Sequence, residues 1–323
     1  MNENRIENLP LVTIGIPTFN RANSNLSFAI NSAVNQDYPN IEIIVSDNCS
    51  IDNTEEIVKS FKDKRIKYIK QTKNIGANNN YNACLNAAKG DYFLLLHDDD
   101  LIDGDFISTC LRTAKYSKDF GFIRTGTRMI GQDGKLLRKE LNCAFSNNPD
   151  EMFLAWLNNK STPYFCSTLF NRRALKKNGG LKSKNNLFED GFAIIKLSAQ
   201  YPILNIVDMK ASFRSHDEQR THAANPLKWS EDFRLALDMI YLQDPIKRKE
   251  LYEKGMRLFA KTSIEFAMKV KNPLKRLISV ILVAKYFPCY YWPSSPKHTM
   301  KFKMARNIGR LIFYYKRWFN AKI

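Results

Sequence analysis

A chain of 323 residues with 44% hydrophobic and 25% charged residues can bury a full core and is too apolar to be disordered. Its net charge of +18 sits at one end: from residue 245 onward there are 19 lysines and arginines against 3 acids, leaving 31 against 29 in the first 244. That asymmetry points to two separate tasks. The cysteines, at 49, 84, 110, 143, 166 and 289, form no C-x-x-C pair and have no disulfide-like or zinc-like spacing, which points to a reducing compartment. MNENRIENLP lacks an apolar signal core, and LISVILVA (277–284) is too short to span a bilayer. The expected location is cytoplasmic.

The first hundred residues alternate β-rich and helical segments. LVTIGI (11–16) reads as a buried strand that exits through Pro17, and a helix is expected over 24–36. IEIIVSD (41–47), a helix near 53–62, RIKYIK (65–70), a helix near 79–88 and DYFLLL (91–96) follow. This alternation predicts an α/β fold with a mostly parallel central sheet flanked by helices. Ligands of such sheets sit at the carboxyl ends of the strands. Pro17-Thr18, Asp47-Asn48 and His97-Asp98-Asp99 all fall there. After residue 105 the pattern changes to a hairpin turning at Asp133-Gly134, a helix near 150–158, a strand over 164–170, and a strand pair near 203–215. From 226 onward the chain reads as helical and basic. The expected division is 1–225, with halves of about 10–105 and 106–225, followed by a helical extension over 226–323.

HDDD (97–100) closes an apolar run with three adjacent carboxylates. Like charges repel and buried carboxylates need partners, so a cation is expected. If the strand continued, His97 and Asp99 would face one way and Asp98 and Asp100 the other. A carboxylate pair at an open strand mouth suits Mg2+ or Mn2+, which share oxygen ligands with a diphosphate. Helix capping is the simpler alternative, but one cap needs only one aspartate. Glu189-Asp190 precedes a helical segment, where helix-dipole complementation would also account for acids. Arg214 and His216 follow a strand and would share a face.

In order and spacing, IPTFNR (16–21), DNCSIDNT (47–54), KNIGANNNYNACLNAAKGDYFLLLHDDD (73–100), FED (188–190) and FRSH (213–216) resemble family 2 glycosyltransferases. The resemblance covers roughly residues 10–220 and is most specific at Asn74, Gly76, Asn82, Ala88, Gly90, Asp91 and Tyr92. It implies a GT-A nucleotide-diphospho-sugar transferase fold and inverting transfer from a nucleotide-sugar donor, UDP by default. The implied acceptor is a hydroxyl of a glycan or polyprenyl-linked substrate in bacterial capsule or O-antigen assembly. Residue by residue, it implies nucleotide contacts at Pro17, Thr18, Asn20, Arg21, Asp47, Asn74, Gly76, Asn82 and Asp98, with Asp47 on the base. Asp99, His97 and His216 are implied for Mn2+ or Mg2+, and Asp190 as general base. Two positions depart from the pattern: His97 replaces the first Asp of D-x-D, and Tyr81 replaces the usual Arg before Asn82. Those departures favour a second reading, a catalytically silent scaffold docked on a membrane. The intact Asp47, Asp99 and Asp190 favour an enzyme.

The segment KHTMKFKMARNIGRLIFYYKRWFNAKI (297–323) has eight Lys/Arg and no acid. Its apolar residues recur at helical spacing opposite Arg306, Arg310 and Arg317, as suits an anionic membrane surface. A nucleic-acid partner is not expected, since no such motif accompanies the charge. The expected setting is peripheral, on the inner face of the cytoplasmic membrane.

Overall fold

A computed structural model describes residues 9–142, 147–158, 160–216, 225–283 and 285–288. The chain divides into two compact units, Met1–Lys182 with Glu189–Asp217, and Ser183–Phe188 with Glu218–Ile323. Sequence patterning alone gives no sign that 183–188 belongs with the later helices.

The first unit is built on a nine-stranded sheet. Its first half comprises β1 (Val12–Thr18), β2 (Ile41–Asp47), β3 (Ile66–Lys70) and β4 (Tyr92–Leu95), paired in parallel in the order β3-β2-β1-β4. All seven residues of β1 are buried, as an unbroken apolar run predicts for a strand covered on both faces. On one face α1 (Leu26–Val34) and the helix Phe106–Thr113 bury Leu26, Ile30, Phe106 and Leu111 against Ile14, Ile16, Val45 and Leu94. On the other, the helix Ala77–Ala87 packs so closely that a Cβ at Gly15 would lie 2.8 Å from the Cβ of Cys84.

The second half is mixed. β5 (Leu101–Ile102) is short, β6 (Phe122–Ile130) and β7 (Leu136–Glu140) form the expected hairpin, and β8 (Thr168–Asn171) lies antiparallel between β4 and β6. The strand expected over 164–170 starts instead as a 3-10 turn at Phe165–Ser167, where the Thr168 hydroxyl donates to the Tyr164 carbonyl at 2.8 Å. The strand pair expected near 203–215 is one strand, β9 (Ile203–Arg214). Exposed Val207 and Asp208 imitate a turn in sequence, whereas the register shifts opposite, at Arg124 to Thr127, absorb the irregularity and keep the pairing with β6 intact. β9 also pairs antiparallel with β5, so its end arrives beside the HDDD turn.

In the second unit, Pro226–Gln243, Lys249–Met268 and Pro273–Val283 are helices. Phe188, Trp229, Phe233 and Phe259 form its aromatic centre, with Phe233 and Phe259 stacked at 4.4 Å. The fully buried Asp232 accepts from the Ser183 hydroxyl at 2.6 Å and the Asn185 amide at 3.0 Å. These bonds explain why 183–188 joins this unit.

Gly90 has a steric reason. Its amide donates to the Thr13 hydroxyl at 2.9 Å, and a Cβ there would meet the Thr13 nitrogen at 2.7 Å and the Tyr92 oxygen at 2.6 Å. Backbone cannot retreat as a flexible side chain can. Gly90→Ala is therefore expected to lower unfolding free energy by roughly 1–3 kcal/mol, measured by urea denaturation.

Candidate active site

Loops at the carboxyl ends of β1, β2 and β4 are knitted together by side chains. The Asn20 amide donates to the Ser50 hydroxyl at 2.8 Å, the Arg21 amide to Thr54 at 3.1 Å, and the Ile51 amide to Asn20 Oδ1 at 3.0 Å. Asn20 and Cys49 adopt left-handed φ of 53° and 69°, which lets the two loops meet. Asp47 is fully buried and accepts from the Ser50 amide at 2.8 Å and the Tyr68 hydroxyl at 2.5 Å. Its carboxylate thus holds the turn that follows β2. Thr18 and Asp47 end neighbouring strands in register, one step beyond the pair Pro17 and Ser46.

Asn74 Oδ1 accepts from Asn48 Nδ2 and from the Gly76 amide, both at 2.9 Å. Gly76, at φ 82°, leads into the helix Ala77–Ala87 and is needed for that backbone conformation rather than for space. Asn82 lies elsewhere: its amide group donates to the carbonyls of Asn78 and Leu181 at 2.9 Å each, and its oxygen accepts from the Leu181 amide at 3.0 Å. In this structure Asn82 ties the helix to a loop. Asn80, not singled out in sequence, bridges β2 and β1 instead, donating to the Ser46 carbonyl at 2.8 Å.

The HDDD segment does not continue the strand. β4 stops at Leu95, and a turn brings the Asp100 amide to within 3.2 Å of the His97 carbonyl. The alternation expected for an extended chain is therefore lost, because backbone curvature rather than strand periodicity directs these side chains. Asp98 faces Arg21, with 3.8 Å between Oδ1 and Nε. Asp99 Oδ2 lies 2.8 Å from His216 Nε2. His97 Nδ1 lies 3.5 Å from Asp100 Oδ2. Arg214 closes the turn from β9: its amide donates to Asp100 Oδ1 at 2.9 Å, and its guanidinium to the Asp99 carbonyl at 2.8 Å.

Ligand atoms of His97, Asp99 and Asp100 lie within 4.8 Å of one another. Asp100 joins this set because the chain turns; in an extended strand it would face away from His97 and Asp99. His97 packs between Tyr81 and Phe165, at ring-centroid distances of 5.2 and 5.7 Å, and its Nε2 is buried without a hydrogen-bond partner. Burial lowers the His97 pKa, but the Asp100 hydrogen bond and neighbouring carboxylates outweigh it, so the net shift is upward. Burial pushes Asp100 up, with His97 opposing and Asp99 adding to the rise. Burial, then Asp99, pushes Asp98 up to about 6, against Arg21. Crowded acids with an orphaned imidazole nitrogen among them fit a divalent cation of the Mg2+ or Mn2+ type.

Glu189 and Asp190 open the helix Glu189–Ser198. Glu189 is buried and accepts from Asn78 Nδ2 at 3.1 Å, whereas half-buried Asp190 accepts from the Gly191 amide at 2.7 Å. Burial pushes the Tyr164 hydroxyl up to about 12, against the lowering effect of the Arg138 charge and a hydrogen bond with Thr162. Burial raises the Cys166 thiol, and Asp100 and Asp99 raise it further. Tyr164 also stacks on Phe213 of β9 at 4.5 Å.

The fold is of the GT-A class. The model of "Glycosyl transferase family 2" matches residues 13–179, just over half the chain, and the protein belongs to that family. It is 39% identical over 134 residues to the GalNAc(5)-diNAcBac-PP-undecaprenol beta-1,3-glucosyltransferase of Campylobacter jejuni, covering 41% of this chain and 42% of that one. With the UDP-Glc:alpha-D-GlcNAc-diphosphoundecaprenol beta-1,3-glucosyltransferase WfaP of Escherichia coli, identity is 31% over 172 residues, or 53% and 64% of the two chains. The match thus spans about half of such relatives. Among solved structures, S. aureus TarS superposes with a TM-score of 0.68 at 19% identity, over 88% of this chain and 49% of that one. A mannosyltransferase from Pyrobaculum calidifontis, in complex with GDP-Man and Mn2+, has a TM-score of 0.55 at 16% identity, over 95% and 88%.

The Asp98 shift has a definite pH consequence. Its folded pKa of about 6 exceeds the ordinary 3.8, so between those values the folded chain holds a proton that the unfolded chain has lost. Its contribution to stability is therefore greatest at low pH and falls as pH rises through 4 to 6. Asp98→Asn is expected to remove that slope and to stabilise the metal-free protein at pH 7.5 by on the order of 2 kcal/mol, read by denaturant titrations at pH 4.5 and 7.5.

Proposed function

We propose that the protein is a metal-dependent inverting transferase that moves a sugar from a UDP-linked donor to a hydroxyl of a lipid-linked glycan during bacterial surface-polysaccharide assembly. The observation that carries the metal and diphosphate half of this reading is the Asp99–His216 contact beside His97 and Asp100. The two named glucosyltransferase relatives support the acceptor class and, through WfaP, the UDP donor.

In this proposal Asp99 and His216, with His97 and Asp100 beside them, would hold Mn2+ or Mg2+. A bound cation supplies positive charge to the departing diphosphate. Arg21, beside Asp98, stands where the nucleotide side of the donor would lie, with Pro17, Thr18, Asn20, Asn74 and Gly76 shaping the same strand ends. Asp47 shapes the base site through the turn it holds in place of a direct contact to the base, and Asn82 fixes the helix that carries Tyr81. Asp190 takes the proton from the acceptor hydroxyl as that oxygen attacks the anomeric carbon from the face opposite the leaving group. Glu189, buried and hydrogen-bonded, orients the helix rather than moving protons.

Asp190→Asn is expected to bind the donor as before and to lose at least ~100-fold in turnover, measured as UDP release with acceptor present. Near-normal turnover would remove Asp190 from the role. Thermal melting with UDP, CDP, GDP or dTDP, each with and without Mn2+, tests the donor half. A Mn2+-dependent rise with UDP, about 2.7 kcal/mol at 100 times Kd, is the expected result. No rise with any nucleotide would favour the silent scaffold.

Residues 297–323 lie outside the described residues, and their acid-free basic composition supports attachment to an anionic membrane surface. Deleting them is expected to weaken sedimentation with anionic vesicles by about tenfold; unchanged sedimentation would refute that role.

A further inference from the structure

The helix Pro273–Val283, which we label α10 in chain order, is apolar on two sides. One side packs inward through Val280 and Val283, which are 2% and 0% exposed. Roughly opposite, Leu274, Leu277, Ile278 and Leu282 are 66%, 36%, 46% and 41% exposed. Their spacing of three and four residues makes one stripe, with half-buried Ile281 within it. A helix apolar all round belongs in a core or in lipid. At 11 residues this one is about 16 Å long, and no described helix is long and apolar enough to cross a membrane. What it can do is lie flat at an interface, its outer stripe among acyl chains.

Charge selects the kind of interface. Lys275 is exposed and at 100° per residue lies beside the apolar stripe, and exposed Lys271 and Lys285 flank the two ends of the helix. Arg276 is differently employed, donating from Nε to the Val270 carbonyl at 2.7 Å. The last acid in the chain is Glu265, so the stripe and everything after it present only positive charge. Long lysine stems can lay their methylenes along the apolar face while the ammonium groups reach phosphates.

We propose that α10 is an interfacial anchor that inserts Leu274, Leu277, Ile278 and Leu282 into an anionic lipid surface. This anchor stands apart from the segment 297–323 and from the transfer chemistry, so it can fail while either of those readings survives.

The test uses the full chain carrying Leu274→Asp and Ile278→Asp, two substitutions at exposed positions, sedimented with vesicles of phosphatidylglycerol or of phosphatidylcholine. Circular dichroism and the thermal midpoint serve as fold controls. The wild type is expected to bind phosphatidylglycerol vesicles and to retain part of that binding at high salt. The double variant should bind about tenfold more weakly. As a second measurement, Leu277→Trp is expected to add blue-shifted emission on mixing with the anionic vesicles, which does not depend on the aspartate variant folding. Equal binding of wild type and double variant, or no blue shift, would overturn the proposal. So would self-association of the wild type that the double variant abolishes while vesicle binding is unchanged, since the stripe would then be a contact between copies.

Discussion

The site depends on one constraint: three consecutive carboxylates must be kept apart where a buried strand ends. The structure meets it by curving the backbone after Leu95 and giving each acid a different neighbour. Asp98 turns to Arg21, Asp99 to His216, and Asp100 to His97 and the Arg214 amide. Two of these neighbours come from the end of β9, more than a hundred residues away in sequence. The long pairing of β9 with β6, and its short pairing with β5, are what deliver them. A slip of one residue in that register would turn Arg214 and His216 to the other side of the sheet. The mixed half of the sheet is thus as necessary to the cluster as the parallel half.

Much of the first half was legible because its signals are local. The apolar runs at 11–16, 41–47 and 91–96 became strands close to their expected bounds, since a strand covered on both faces must be apolar throughout. The later half was less legible. Exposed Val207 and Asp208 break the pattern of β9 without breaking the strand, and only the register shifts in its partner reveal why. Asp100 was passed over because alternation holds only while the chain stays extended, and a turn has no periodicity to read. The segment 183–188 was unassignable because its attachment is to Asp232, a polar contact that no hydrophobic pattern announces.

The polar motifs divided in a similar way. Asn74 and Gly76 serve the loop next to the strand ends. Asn82, from the same block, faces Leu181 instead. Residues four apart on a helix share a face, so Asn78 and Asn82 both reach toward Leu181, while Asn80, two residues on from Asn78, turns to β2. A sequence block can thus be shared for two different reasons, and only the direction of each side chain separates framework from ligand contact.

His97 shows how a departure from a family pattern can be absorbed. An imidazole carries one negative charge fewer than the aspartate it replaces, in a turn where Asp98, Asp99 and Asp100 already repel one another. Arg214 contributes compensating charge from the β9 side and Arg21 from the β1 loop. A cation arriving there would meet less net negative charge than three or four bare carboxylates would offer, and nitrogen donors in place of oxygen. Imidazole suits Mn2+ better than Mg2+, which prefers oxygen and keeps its water. The aromatic packing of His97 against Tyr81 and Phe165 limits its rotation, so the nitrogen it offers is fixed in direction. The two positions at which the sequence departs from the resemblance, 81 and 97, are thus in direct contact, and a change at one would be felt at the other.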